Sequence, residues 1–360
     1  MVTTWASLLW LGTIHVLLLR SNTEKAEKVE PNPNAVQHDW ENWMKTGMGW
    51  LGKLKLKQIC LPGANEAGMS AKTGGTAKQK NCNTLCQSKN ILKQLKTGIR
   101  YLDLRPVVSG SDYKAGHYQQ DPEGQWIGGD GQTFESIVKQ INDFTKDHNE
   151  LIIASLSKSH SVSSNKPFDQ GEWDKLFDIV SKTTNLYEGP ENTLLNVTLG
   201  DLTNKGNKSA VLYIVSAANI TLGSYAGKGL FTNKSMHLYD NVINTDKMNF
   251  MFVDQALKMY KNAKDSFFVF SWIVTQQPRQ VAECPKLRSI KSLAKKTNPH
   301  MKDIMHEVTS EIYPNVITAN YVENSQVREI AMAINSHWLL DRNVPKKGNL
   351  TEKRKNKKGE

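Results

Sequence analysis

Short apolar runs alternate with helical patterns from residue 40 to residue 340, without an internal repeat or a linker-like break, and this alternation limits the fold more than any other feature. A run that is apolar at every position needs burial on both faces, which a parallel sheet covered by helices supplies and a half-exposed antiparallel sheet does not. The clearest such run is 151–156 (LIIASL), and strands are also predicted at 57–61, 99–104, 210–215, 267–275 and 316–321. Between them, 133–147 places Phe134, Ile137, Val138, Ile141 and Phe144 at the spacing of an amphipathic helix. Further helices are predicted at 91–97, stopped by Gly98, at 173–183 and at 325–340. No glycine-rich dinucleotide fingerprint follows any strand, so the expected architecture is α/β, a single distorted TIM-type β/α barrel over residues 39–340.

The flanks read differently. Residues 1–21 carry an apolar stretch from Trp5 to Leu19 that holds no charged residue and is broken only by Ser7, Thr13 and His15, the length of a signal-peptide core and short for a membrane span. Export is the expectation, with 22–38 as a polar linker. The net charge is +11, and the segment 341–360 concentrates basic residues with Pro345, Gly348 and Gly359 and no apolar periodicity, so it reads as a disordered basic tail. Such a tail serves solubility, or attraction to anionic lipid headgroups or glycosaminoglycans. Sequons at Asn196, Asn207, Asn219, Asn233 and Asn349 fit an exported chain, although a sequence this rich in Asn, Ser and Thr carries some by chance. Four cysteines, Cys60, Cys82, Cys86 and Cys284, permit three pairings. Cys82 and Cys86 are spaced to pair locally or to tether a loop to Cys60 or Cys284, and no histidine at metal-ligand spacing accompanies them.

In a barrel of this kind chemistry sits where the strands end. The first strand runs into Leu61-Pro62-Gly63-Ala64-Asn65-Glu66. The second ends in Asp103-Leu104-Arg105, whose charged residues alternate and so point the same way, and His117 follows twelve residues later. Guanidinium beside imidazole suits a phosphate, because one neutralises non-bridging oxygens and the other moves a proton.

CLPGANEAG, then QLKTGIRYLDLRP, His117, HNELIIASL, SWIVTQQP and PNVITANYVEN resemble in order the X domain of phosphatidylinositol-specific phospholipase C, in its small metal-independent branch. The hallmark of that domain is Leu-Pro-Gly-x-His ahead of Gly-Ile-Arg-x-x-Asp-x-Arg. The resemblance implies that Arg105 stabilises the phosphate in the place a metal takes elsewhere, that His117 is the general acid and that Glu66 supports it, with Asp103 beside them. It also implies Lys158, Asp240 and Trp272 as headgroup contacts, although Trp272 on its own reads as core, and neither a metal nor another cofactor is implied. Where the general-base histidine is expected stands Asn65, and where its orienting carboxylate is expected stands Asn320. An amide cannot take a proton near neutral pH. The expected aromatic after Asp240 is Val242, and no arginine stands near Ser216.

The resulting expectation is an exported protein that binds anionic phospholipid or inositol phosphate headgroups at a membrane surface, with lost or very weak catalysis and no nucleic-acid partner. The alternatives are an active metal-independent phosphodiesterase drawing its base from elsewhere, such as Asp103, and a glycan- or heparin-binding protein that uses the basic tail.

Overall fold

The computed structural model describes residues 39–120 and 123–343. The expected signal peptide and linker lie outside them, as does the basic tail, with Asn349, beyond its first three residues, 341–343, which are helical rather than disordered. Among the described residues no helix is long and apolar enough to cross a membrane.

Eight parallel strands carry the fold: β1 (Leu61–Ala64), β2 (Tyr101–Leu104), β3 (Leu151–Ser157), β4 (Ala210–Ser216), β5 (Leu230–Thr232), β6 (Leu238–Tyr239), β7 (Phe267–Trp272) and β8 (Val316–Ala319). Their hydrogen-bonded order is β5-β4-β3-β2-β1-β8-β7-β6, the circular order of a β/α barrel, with the ladder interrupted between β5 and β6. The expected barrel is therefore present, opened at one seam that the short helix Asn233–Met236 spans.

Period-two alternation divides the apolar residues into two cores. Leu61, Tyr101, Leu151, Ile153, Leu212, Ile214, Phe267, Val269 and Val316 pack inside the barrel, whose base is filled by Trp43, Met44, Leu51, Leu54 and Leu56 from the N-terminal segment. Leu102, Leu104, Ile152, Leu156, Tyr213, Phe268, Phe270 and Ile317 face outward, against the helices. Among these helices, α1 (Ile91–Lys96) begins at Asn90, whose side chain accepts from Lys93 N, and ends before Gly98, whose φ of 100° only glycine adopts freely. The helix α2 (Phe134–Thr145) starts on the Thr133 cap and buries the five apolar residues its spacing marks, each contributing roughly 1.5–3 kcal/mol. A capping box of Asp169 and Glu172 opens α3 (Gln170–Val180). Around the rest of the barrel lie α4 (Met248–Asn262), α5 (Ile290–Thr297) and α6 (Val327–Asn343).

The first strand departs from expectation. Residues 56–58 form a 3-10 turn, and pairing begins at Leu61 and runs through Pro62 and Gly63. Leu61 N and Asn65 N donate toward β8, to Asn315 O and Ala319 O, so the donor that Pro62 lacks would have faced β2. Any side chain at Gly63 would meet Thr318 Cγ2 at 2.8 Å and Val316 Cγ1 at 2.9 Å. An antiparallel sheet was not foreseen either: Asp112–Gln120 and Trp126–Thr133 form a hairpin beside Pro106–Ser109, standing at the C-terminal end of β2.

Beneath the barrel, Arg100 and Glu150 form a fully buried ion pair with Nε to Oε2 at 2.9 Å. Arg100 also donates to Leu95 O, Ile99 O and Glu41 O, while Glu150 accepts from Met44 N and Lys45 N. The pair thus ties the N-terminal segment to the start of β2 and β3. A disulfide joins Cys82 to Cys284, and Cys60 and Cys86 are free and buried.

Candidate functional site

The inward-facing positions turn polar toward the strand ends. Asn65 follows β1, Asp103 and Arg105 lie at the end of β2, Ser157 at the end of β3, Ser271 near that of β7 and Asn320 just past β8. All share the parity of the barrel interior, so one mouth collects them. His117 reaches the same mouth from the hairpin.

Arg105 is the hub. Its Nη1 pairs closely with Glu66 Oε1, and its Nη2 lies 3.2 Å from Asp103 Oδ2 and donates to Asn65 Oδ1 at 3.3 Å. Glu66 Oε2 meets His117 Nδ1 at 2.5 Å. An ionised carboxylate only accepts, so Nδ1–H donates and Nε2 is left to exchange a proton with a ligand. Burial would push the Glu66 carboxyl up, but Arg105, followed by His117 and Lys158, holds it down at about 2. Burial likewise acts to lower the Arg105 guanidinium, and Glu66 and Asp103 overcome it and hold it above its ordinary value. Glu66 and Arg105 therefore both stay charged near neutral pH.

The other half of the mouth is uncharged. Asn65, only 5 % exposed, donates through Nδ2 to Asn320 Oδ1 at 2.8 Å, and Gln87 Nε2 pins the Asn65 carbonyl at 2.7 Å. Glu66, Lys158 and Tyr321, following β1, β3 and β8, have φ of 45°, 51° and 51°. Side-chain-bearing residues take that region at a cost of order 1–3 kcal/mol each, and such strain gathers where backbone is shaped around a ligand.

A cavity of about 160 Å³ opens here, lined by Asn65, Glu66, Cys86, Arg105, His117 and Asn320, with Lys158 and Gln276 at its sides. A second, of about 370 Å³, shares Arg105 and Lys158 and continues over Tyr118, Trp126 and His160. Asp240 is exposed at the rim and held by Ser271 Oγ at 3.0 Å. Desolvation in that concave setting, then the like charge of Asp103, raises its carboxyl, against the pull of Lys158. Trp272 is not with these residues. It faces outward, 2 % exposed, with its indole donating to Thr297 O, so its place is the core between barrel and helices and it lines neither cavity. Asn196, Asn207 and Asn219 are exposed and Asn233 is half-buried, and none of the four lines either cavity.

Two mouth residues escaped the sequence reading. Gln87 holds β1 and β8 together, with Nε2 also donating to Ala319 O at 3.0 Å. Cys86 lies with its Sγ 3.9 Å from His117 Nδ1, its thiol pushed well up by burial and by Glu66. Its spacing from Cys82 reads as a disulfide pattern, and only the fold brings it beside His117.

No protein-family profile and no curated protein matches the chain. Solved structures do resemble it. The F249X mutant of phosphatidylinositol-specific phospholipase C from Staphylococcus aureus superposes with a TM-score of 0.58 at 17 % identity, covering 81 % of this chain and 97 % of that one. The phosphatidylinositol-specific phospholipase C from Listeria monocytogenes gives 0.53 at 16 % identity, covering 82 % and 99 %. At such identities the likeness is one of fold.

Proposed function

We propose that this chain is a phospholipase C-like protein that binds a phosphate-bearing headgroup, an inositol phosphate or an anionic phospholipid, without turning it over at an appreciable rate. The observation that carries this reading is the Asn65 amide, fixed between Arg105 Nη2 and Asn320 Oδ1 where the family places its base. Arg105 and Lys158 supply positive charge for the phosphate, and Glu66 holds His117 with Nε2 free to donate. The acid half of a transesterification is thus assembled. The hydroxyl that should attack has no partner to receive its proton, and general-base catalysis typically contributes about 10²–10⁴ in rate.

Asp103 is a poor substitute base. Its Oδ2 is engaged by Arg105 and by Glu66 N, and its Oδ1 accepts from Ser157 Oγ at 3.4 Å. In this reading the protein is exported and acts peripherally at membrane surfaces, an inference that rests on the apolar leader and the sequons.

The test is incubation with phosphatidylinositol vesicles, following both co-sedimentation and release of cyclic inositol phosphate. Binding without release is expected. Release that disappears in His117→Ala would reject the reading in favour of an active enzyme.

A further inference from the structure

The side chains of Glu66, Cys86 and His117 converge from three separate elements, and one ligand atom from each, a carboxylate oxygen, Sγ and a ring nitrogen, lies within 4.8 Å of the other two. All three line the same cavity, so a fourth direction faces the mouth. We propose that they form a binding site for a thiophilic divalent cation, with Zn²⁺ the ion that fits best.

The donor set selects the ion. Ca²⁺ and Mg²⁺ require oxygen cages, whereas sulfur, imidazole nitrogen and carboxylate oxygen together suit Zn²⁺ and its neighbours. Zinc bonds of about 2.3 Å to sulfur and about 2.0–2.2 Å to nitrogen and oxygen set tetrahedral ligand separations of roughly 3.3–3.6 Å. Cys86 Sγ and His117 Nδ1 stand 3.9 Å apart, close to that spacing. Glu66 Oε2 and His117 Nδ1 stand at 2.5 Å, so the carboxylate must open by less than about 1 Å to admit the ion where a proton now sits. Arg105 pairs with the other Glu66 oxygen, Oε1, and so orients the ligand from behind while leaving Oε2 to the metal. Binding expels the Cys86 thiol proton to solvent and displaces the proton that His117 Nδ1 shares with Glu66, which moves to Nε2 when the ring is neutral and to solvent when Nε2 already carries a proton. It leaves a three-ligand site with one open position, the arrangement of catalytic rather than structural zinc. Because it occupies the ring nitrogen that Glu66 holds, the ion competes with the acid role of His117.

The inference stands on these three side chains and does not require the phosphate reading. Its test is titration of the full-length protein, with its disulfide intact, with Co²⁺ as a spectroscopic probe, followed by competition with Zn²⁺. We expect uptake of one equivalent with a thiolate-to-cobalt charge-transfer band and intense tetrahedral d–d absorption, both displaced by Zn²⁺. Cys86→Ser and His117→Ala should each weaken uptake at least tenfold, and Cys60→Ser should leave it unchanged. Zn²⁺ should also protect Cys86 from alkylation in the unmutated protein, a readout independent of how the variants fold. Absence of the charge-transfer band, its persistence in Cys86→Ser, or undiminished alkylation under saturating Zn²⁺ would each overturn the proposal.

Discussion

Asn65 Nδ2 donates to Asn320 Oδ1 at 2.8 Å and so joins the end of β1 to the end of β8 through two neutral amides. The donor and acceptor directions are those a ring N–H and a carboxylate oxygen would supply. What the amides lack is a lone pair that accepts a proton near neutral pH. On the reading proposed above, these amides keep the geometry of an acid–base pair without its proton chemistry.

Supplying that chemistry should produce turnover. Asn65→His combined with Asn320→Asp is expected to raise cyclic inositol phosphate release from phosphatidylinositol vesicles by about 10²–10⁴ over the unmutated chain, with each single change giving much less. No gain in a double variant with an unchanged melting curve would mean that the mouth does not hold substrate in line for attack.

Affinity should depend on Arg105. Charged hydrogen bonds are worth about 1.5–3 kcal/mol, so Arg105→Lys, which keeps the charge and loses the fork, should weaken inositol phosphate binding by roughly ten- to hundredfold in calorimetric titration. Lys158→Ala should weaken it also. Unchanged dissociation constants in both would remove the phosphate from this cup.

Acid should act through Glu66. Its carboxyl titrates at about 2 against an ordinary 4.5, burial being outweighed by Arg105 and then His117. A value lowered by folding means that the stabilisation is complete above about 4.5 and is lost as the pH falls toward about 2. Melting temperatures of Glu66→Gln should therefore decline less steeply than those of the unmutated protein across this window. Parallel curves would show that the carboxylate carries no such stabilisation.

Cutting the buried ion pair should be costly. Glu150→Gln leaves the Arg100 guanidinium charged at zero exposure, and breaking such a pair costs about 3–5 kcal/mol. Denaturant unfolding should show that loss with little change in the denaturant dependence, and a loss under about 1 kcal/mol would mean that the neighbouring carbonyls satisfy Arg100 unaided.

The sequence displayed the barrel where burial was uniform. The runs at 151–156 and 210–215 announce β3 and β4 because every position is covered, from inside or from the helices. Concealed elements follow other rules. The strand β1 contains Pro62 and Gly63, poor strand formers that its close approach to β8 requires. The strands β5 and β6 span three and two residues, too few for a period to register. The hairpin 112–133 has polar residues on both faces and carries little apolar alternation. At the mouth, Arg105, His117, Glu66 and the two asparagines were legible through ordered motifs. Trp272 shares such a motif, yet its parity turns it outward. Cys86 belongs to the mouth through space alone, reaching His117 across 31 positions of sequence.

The seam between β5 and β6 gives the barrel a mechanical asymmetry. Every other junction around the ring is held by ladder hydrogen bonds, whereas this one can widen without breaking any. Asp240 follows β6 directly and rides on that wall, while Arg105 sits on the continuously bonded side. On the headgroup reading proposed above, a spreading of the seam would move the rim carboxylate away from Arg105 and make room for bulkier headgroups without disturbing the residues that face the phosphate.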